Sequence, residues 1–493
     1  MTMHRRAFLA SAAAAPLVAV APKVSALARD LTWIDATETA SLIRKREISA
    51  AEAVGAAIER VEAVNPRLNF LVTPDFERAM TRATAPNGTP GPFAGAPILI
   101  KDLNDVEGLP TRSGSRATHG IPAAPRTEAR AGGVIAAGFN AIGKSATPEF
   151  GFLPTTEPLA FAPTRNPWNP DHSSGGSSGG AAAAVAAGAL PLSHATDGGG
   201  SIRIPAACCG LFGLKTSRGR SIGESFGPTD LSVSLCVSRT VRDSAAFLAS
   251  VERTDREAQH EPVGLISRPS SRKLKIGFLL IDPLGHRPSP EVADAVEQTA
   301  LLLEQLGHDA QPMAGWPLDA STFSDDFLNL WGEGGRQVVE AVNAKAGPGV
   351  AEKALEPFTL ALAARRNSLT PDAFGASIGR LIAAGRSYLG AFRHFDVVMT
   401  PVLDSTAAPL AFVSPDVAWD TLLERLRTYV GYTPLNNVAG NPAMSVPLAW
   451  SEAGLPIGIH FAADVGKERI LLELAYQLEQ ARPWADRRPS VHA

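Results

Sequence analysis

Short unbroken apolar runs alternate with stretches of helical period along this chain, which predicts an α/β protein: one large domain with a sheet covered by helices on both faces. Three observations carry that expectation. The runs, such as Pro97-Ile98-Leu99-Ile100 and Asp396-Val397-Val398-Met399-Thr400-Pro401, are continuous rather than alternating, as strands buried on both faces require. Segments of helical period separate them. No repeat of 20–50 residues is visible, which disfavours solenoids and propellers. With 493 residues, 45% hydrophobic and 19% charged, the chain can bury a sizeable core.

Taken in order, residues 37–64 read as two helices. Ser49 and Glu52 have capping-box spacing at the start of the second, Ala53, Ile58, Val61 and Val64 share one face, and Asn65-Pro66 is expected to stop it. The strand 97–100 ends in Lys101-Asp102, and residues 133–143 give another helix-to-strand passage. From Ser173 to Pro205 the composition turns to Gly, Ser and Ala. Such richness usually marks a flexible linker. Here it contains the helix-forming run Ala181–Ala187 and leads into Leu211-Phe212-Gly213-Leu214, so a loop–helix–loop inside the fold is expected. Lys273–Leu279 reads as a strand and Pro288–Leu306 as a helix, with Ala293, Val296, Ala300 and Leu303 on one face. Residues 316–393 are helical in pieces. Met444–Leu448 and Ile457–Phe461 read as a strand pair.

The N-terminus reads as a leader rather than as part of the fold. Arg5-Arg6 precede an apolar, Ala-rich run from Ala7 to Ala21, and Ala26-Leu27-Ala28 supplies small residues of the kind a signal peptidase cuts after. The paired arginines are similar to a twin-arginine signal, so residues 1–28 are expected to be removed on export to the periplasm. The run is shorter than the roughly 20 residues a spanning helix needs, and no later stretch reaches that length. The mature chain is therefore expected to have no stable membrane anchoring. Net charge is −3, with Lys+Arg 46 against Asp+Glu 49. That balance leaves no electrostatic footprint for nucleic acid. Cys208, Cys209 and Cys236 are too few, and two of them too close, for a disulfide framework.

Three segments can be read together as chemistry: Lys101 at a strand end, the loop Gly175-Gly176-Ser177-Ser178-Gly179-Gly180, and Asp197-Gly198-Gly199-Gly200-Ser201-Ile202-Arg203-Ile204-Pro205. Amide hydrolysis needs a nucleophile, a base for its proton, an acid for the leaving amine and donors for the oxyanion. Ser201 follows three glycines, whose backbone can approach a ligand closely and aim its N–H groups at one point. The base is harder to find. His172 and His194 flank the glycine loops, but neither has an acidic partner at a diagnostic spacing. A lysine serves only if neutral, so its reference pKa near 10.4 must fall by roughly three units, which burial can achieve. Lys101 closes an apolar run, and a loop serine could relay the proton from Ser201.

These motifs resemble the amidase signature family. The likeness rests on Gly175–Gly180, Ala183-Val185-Ala186-Ala187-Gly188, Gly199–Ala206 and the interval between Ser177 and Ser201. It extends to Gly143–Gly151, Thr164–Trp168, Asn441-Pro442-Ala443 and Gly454–Gly458, and so covers about Thr37 to the C-terminus. The resemblance implies a single large domain over 29–493 with a mixed, twisted β-sheet core. Residues 310–395 match least and are expected to be a variable helical segment shaping the substrate pocket. It implies amide hydrolysis with Lys101 as base, Ser177 as bridging serine after a cis peptide bond, and Ser201 as acyl-forming nucleophile. Gly198, Gly199 and Gly200 would supply oxyanion N–H groups. Ser177 rather than Ser178 is chosen on the family register alone. The tripled glycine, where many members carry a larger residue at 198, resembles the branch containing aminohexanoate cyclic-dimer hydrolase.

Around this constellation, Ser178, Asp197 and Arg203 are expected to be structural, holding the glycine turn. Phe150, Phe152, Trp331 and Tyr432 are candidates for an apolar pocket, with ordinary core packing the rival reading for each. A phosphate loop is disfavoured because Gly179-Gly180-Ala181 lacks the lysine that should follow. No cluster has metal-ligand spacing, and no cofactor is expected. The partner expected is a small-molecule amide, and a homodimer is compatible with the sequence. The alternative of another class is a non-catalytic subunit, or a partner-dependent amidotransferase-like subunit, on the same fold.

Overall fold

The structure, a computed structural model, describes residues 26–85 and 90–493. Of the expected leader, residues 1–25 lie outside the described residues. Its last three open the short helix Ala26–Asp30, where Leu27 packs against the buried Leu31 and Ala56.

Two sheets carry the fold. Strands β1 (Leu71–Pro74), β2 (Pro97–Lys101) and β3 (Asn140–Ser145) form a three-stranded sheet in the order β1-β3-β2, with β2 parallel and β1 antiparallel to β3. The larger sheet is built from β4 (Leu192–Asp197), β5 (Phe212–Lys215), β6 (Val233–Ser238), β7 (Lys275–Phe278), β8 (Asp309–Pro312), β9 (Val397–Pro401), β10 (Ala443–Trp450) and β11 (Pro456–Ala463). Its order is β4-β6-β5-β10-β11-β9-β7-β8, antiparallel from β4 to β9 and parallel from β9 to β8. Every residue of β4, β5, β6, β9 and β11 is buried. Successive strand residues face opposite sides, so these strands are covered on both faces. Helices Arg203–Cys209, Val241–Val251, Pro290–Gln305 and Glu468–Ala481 pack on this sheet.

Local chemistry explains where elements begin and end. Ser49 and Glu52 form the expected capping box at the start of helix Ala50–Leu68. Asn65-Pro66 does not stop that helix, however. It runs on to Leu68 and is capped by Asn69 in the left-handed region. A proline so near a C-terminus removes little of the hydrogen-bond ladder, and the Asn65 side chain accepts from the N–H groups of Phe70 and Leu71, both at 2.9 Å. Helix Gly179–Ala186 is buried all round, as a helix without a polar face must be.

The Gly/Ser/Ala region differs from a loop–helix–loop, because strand β4 lies inside it. Its polar side chains hid it from a reading of apolar runs, yet each is satisfied when buried. Ser193 Oγ donates to Leu99 O at 3.1 Å, and the Lys101 N–H donates to His194 Nδ1 at 3.3 Å. Both bonds join the small sheet to the large one beside the end of β2. All three cysteines are buried and free.

Candidate active site

Lys101 ends β2 with its side chain fully buried. Its Nζ is hydrogen-bonded to Ser177 Oγ at 2.7 Å and to Thr196 Oγ1 at 3.0 Å, with Thr196 O at 3.4 Å. These three neighbours are uncharged oxygens. Burial therefore acts on the ammonium with little to offset it, and the Lys101 pKa falls to about 7, against a weaker opposing pull from Asp197. Ser177 sits at the N-terminal edge of helix Gly179–Ala186, after a cis Gly176–Ser177 peptide bond. The two adjacent serines face different partners. Ser178 Oγ donates to Thr196 O at 3.2 Å and accepts from the Thr196 N–H at 3.3 Å, so it fastens the loop to β4. Gly151, at φ +74°, passes so close that a Cβ there would lie 3.2 Å from Ser177 Oγ.

Ser201 is presented by the turn between β4 and helix Arg203–Cys209, and it lines a cavity. Asp197 shapes that turn from inside. Its Oδ1 accepts from the Gly200 N–H at 2.8 Å and its Oδ2 from the Ile202 N–H at 3.1 Å. Arg203 grips both oxygens, through Nη2 at 2.9 Å and Nε at 3.0 Å. Burial alone would raise the Asp197 pKa, but the Arg203 charge and its hydrogen bonds overcome this and hold the carboxyl below its usual range. Arg203 is held in turn by Thr433 O, Asn436 Oδ1, Asn437 Oδ1 and His460 Nε2.

One glycine departs from expectation. The Gly200 N–H is committed to Asp197, so it is not available to an oxyanion in this geometry. The N–H groups of Gly198, Gly199 and Ser201 have no acceptor among the described residues. Gly200 instead needs to be glycine for its shape: φ is +138°, and a Cβ would lie 2.3 Å from Thr433 Oγ1.

Asp197→Ala would leave the fully buried Arg203 guanidinium without its one ion-pair partner among the described residues. Orphaning a buried charge costs about 3–5 kcal/mol, so the urea midpoint of this variant should fall accordingly, together with activity. A loss below about 1 kcal/mol would show that the turn stands without this pair. The pH dependence has a definite sign: because the folded pKa is depressed, the stabilisation is full above the unfolded value near 3.9. It is lost as pH falls through the lower folded value.

His194 is accounted for as a brace, whereas the buried His172 Nδ1 has no hydrogen-bond partner among the described residues. His194 is fully buried; its Nδ1 accepts from Lys101 N–H, so Nε2 carries the proton toward Ser234 Oγ at 2.8 Å. Burial, reinforced by the charges of Lys101, Arg130 and Lys144, lowers its pKa to about 3. It is therefore neutral and occupied. His172 belongs to the loop that pairs with Pro409. The lysine next in interest, Lys144, is tied to Asp102 at 3.1 Å, both fully buried, so Asp102 is not the partner of Lys101. Among the described residues no group of His, Cys, Asp and Glu could hold a metal, and no helix is long and apolar enough to cross a membrane.

The cavity beside Ser201 measures about 110 Å³. Phe152 and Trp331 line it as expected, whereas Phe150 and Tyr432 do not. Phe150 turns against Phe152, and Tyr432 donates its hydroxyl to Leu280 O at 2.7 Å. Sequence reasoning missed Thr196, the second anchor of Lys101, and Asn437, which donates to Asp197 O and Oδ1, both at 2.9 Å. It also missed Phe327 and the walls supplied by helices Trp419–Tyr429 and Pro434–Ala439. No motif spacing ties these residues to the triad segments.

Comparison with known proteins gives a consistent result. Residues 52–472 match the Amidase family. The chain is 40% identical to AmiC, a protein named as an amidase, of Mycobacterium tuberculosis, over 92% of this chain and 95% of that protein. It is 34% identical to the 6-aminohexanoate-cyclic-dimer hydrolase of a Pseudomonas species, over 93% and 97%. Among solved structures, 6-aminohexanoate cyclic dimer hydrolase complexed with substrate superposes with a TM-score of 0.86 at 32% identity, over 94% of this chain and 100% of that one. A bacterial aryl acylamidase of the amidase signature enzymes gives 0.82 at 26%, over 92% and 98%.

Proposed function

Because the chain belongs to the amidase family and is on that footing an amide-hydrolysing enzyme, we propose that it works through a serine acyl-enzyme, with Ser201 as nucleophile, Ser177 as proton relay and Lys101 as base. The observation that carries this reading is the 2.7 Å bond between a fully buried lysine and Ser177. A neutral amine there offers a lone pair to the Ser177 hydroxyl while its two N–H groups serve Thr196.

In the forward step Ser201 Oγ attacks the amide carbon, its proton passes to Ser177, and the Ser177 proton passes to Lys101. The carbonyl oxygen gains the negative charge, and the N–H groups of Gly198, Gly199 and Ser201 are the donors available to it. Collapse breaks the C–N bond. The leaving nitrogen takes a proton back from Ser177, which Lys101 reprotonates. Water then attacks the ester on Ser201 as its proton passes to Ser177 and on to Lys101. Collapse breaks the C–Oγ bond while a proton returns through Ser177 to Ser201 Oγ, releasing the acid. The substrate is a small-molecule amide, a reading supported by the size of the cavity and by the substrate complex of the related hydrolase.

An alkyl fluorophosphonate tests the nucleophile directly. The Ser201 Oγ–P bond should form as P–F breaks, fluoride leaves and the relay takes the serine proton. Mass spectrometry should find the adduct on Ser201. An adduct on another serine, with Ser201 unmodified, would remove Ser201 from this role.

A further inference from the structure

The wall of the cavity comes from a part of the chain with no motif in it. Helix Phe323–Ala346 sets Phe323, Phe327 and Trp331 four residues apart, hence on one face. Phe327 and Trp331 stack with ring centroids 5.3 Å apart and planes inclined by 21°. Trp331 meets Phe152 edge-on at 6.0 Å, and its Nε1–H donates to Phe152 O at 3.0 Å, which fixes the indole in place. The stack rests directly on the glycine turn. A Cβ on Gly198 would stand 3.1 Å from Trp331 Cη2, and one on Gly199 would stand 3.2 Å from Phe327 Cζ. The missing side chains at 198 and 199 are thus the space the two rings approach.

We infer that the Phe327–Trp331 stack, seated on Gly198 and Gly199, is the specificity wall for the acyl half of the substrate, and that this half is one compact apolar group, an aryl ring or a branched alkyl of similar size. The inference rests on the triad reading above. The leaving nitrogen must face Ser177 and Lys101, neither of which lines the cavity, so the cavity is left to the acyl side. Volume sets the size: about 110 Å³ compares with an engineered apolar cavity of about 150 Å³ that takes benzene. Polarity sets the chemistry, since besides Ser201 only Ser324 and Arg427 bring polar side chains to the lining, and Arg427 is already paired with Asp325 at 2.8 Å.

Phosphonofluoridates carrying a methyl, benzyl or dodecyl group on phosphorus test this without knowledge of the amine, because that group takes the place of the acyl half. The benzyl reagent should inactivate the enzyme at least tenfold faster than either of the others. In Trp331→Ala the benzyl-to-methyl ratio of inactivation rates should fall at least tenfold. Trp331→Phe, which keeps a ring but loses the bond to Phe152 O, should fall between. Gly198→Ala should slow benzyl inactivation, and this penalty should be at least fivefold smaller in a Trp331→Leu background, because the clash is with the indole. An unchanged ratio in Trp331→Ala, a dodecyl preference, or an equal Gly198→Ala penalty in both backgrounds would overturn the wall while Ser201 remained labelled. Labelling that avoids Ser201 would instead overturn the triad reading, and the wall with it.

Discussion

Ser201→Ala should lower amide turnover by at least about 10⁴-fold while the protein keeps its fold and its substrate affinity. Where acylation is the route, removing the nucleophile leaves only what binding and oxyanion donors supply, and losses of this size follow in serine hydrolases generally. The side chain removed is small, and it lines a cavity. Its turn is held by Asp197 and Arg203 independently of the hydroxyl. Thermal unfolding should therefore be nearly unchanged, which separates lost chemistry from lost structure. In the Ser201→Ala variant KM for a slow amide should stay within a few-fold of wild type. Retention of a tenth of wild-type kcat in a folded variant would exclude Ser201 as nucleophile. Ser177→Ala should be severe as well but less complete, because Ser201 and the donors remain and only the relay to Lys101 is interrupted.

What the chain disclosed before its structure, and what it withheld, follows from where the chemistry lies. Strands β2 and β9 were legible because burial on two faces demands apolar runs, and β10 and β11 because only a single polar residue, Ser445 or His460, interrupts theirs. Strand β4 was not, since Ser193, His194, Thr196 and Asp197 are buried polar residues, each with a specific partner. That polarity goes with position: β4 brings Thr196 to Lys101 and Asp197 to the glycine turn. The edge strands β1 and β8 are largely exposed or half-buried, so they carried no apolar signature. Lys101, Ser177 and Ser201 could be named from motif register. The commitment of the Gly200 N–H to Asp197 could not, because it depends on how a turn closes. Of the aromatic wall, Trp331 was among the pocket candidates and Phe327 escaped, because residues repeating at ordinary helical spacing look the same whether the partner is core or substrate. Only contact with Gly198 and Gly199 distinguishes the two.

If Lys101 is a neutral base, kcat/KM on amides should rise with pH through an apparent value near 7 and then level. That is the range to which burial brings its side chain, far below the usual lysine value of about 10.4. The direction matters: the base form is the deprotonated one, so activity is lost on the acid side. Lys101→Met should lower kcat on amides by about 10³-fold or more and abolish this limb. Unfolding does not explain such a loss, and the sign of the linkage shows why. A lysine whose pKa is lower folded than unfolded binds fewer protons when folded between about pH 7 and 10.4. Stability therefore rises with pH across that window, and at neutral pH the buried amine costs stability that methionine does not. The methionine variant should be at least as stable as wild type at pH 7. Lys101→Arg should not restore activity, because a guanidinium stays protonated. Leaving groups then separate the two halves of the role. Departing amines need a proton that Ser177 and Lys101 supply, whereas activated esters leave unaided, so the loss should be at least tenfold smaller on a matched activated ester. Equal losses on amide and ester would confine Lys101 to the attack step. No loss on either would leave Ser201 without a base and undo the mechanism.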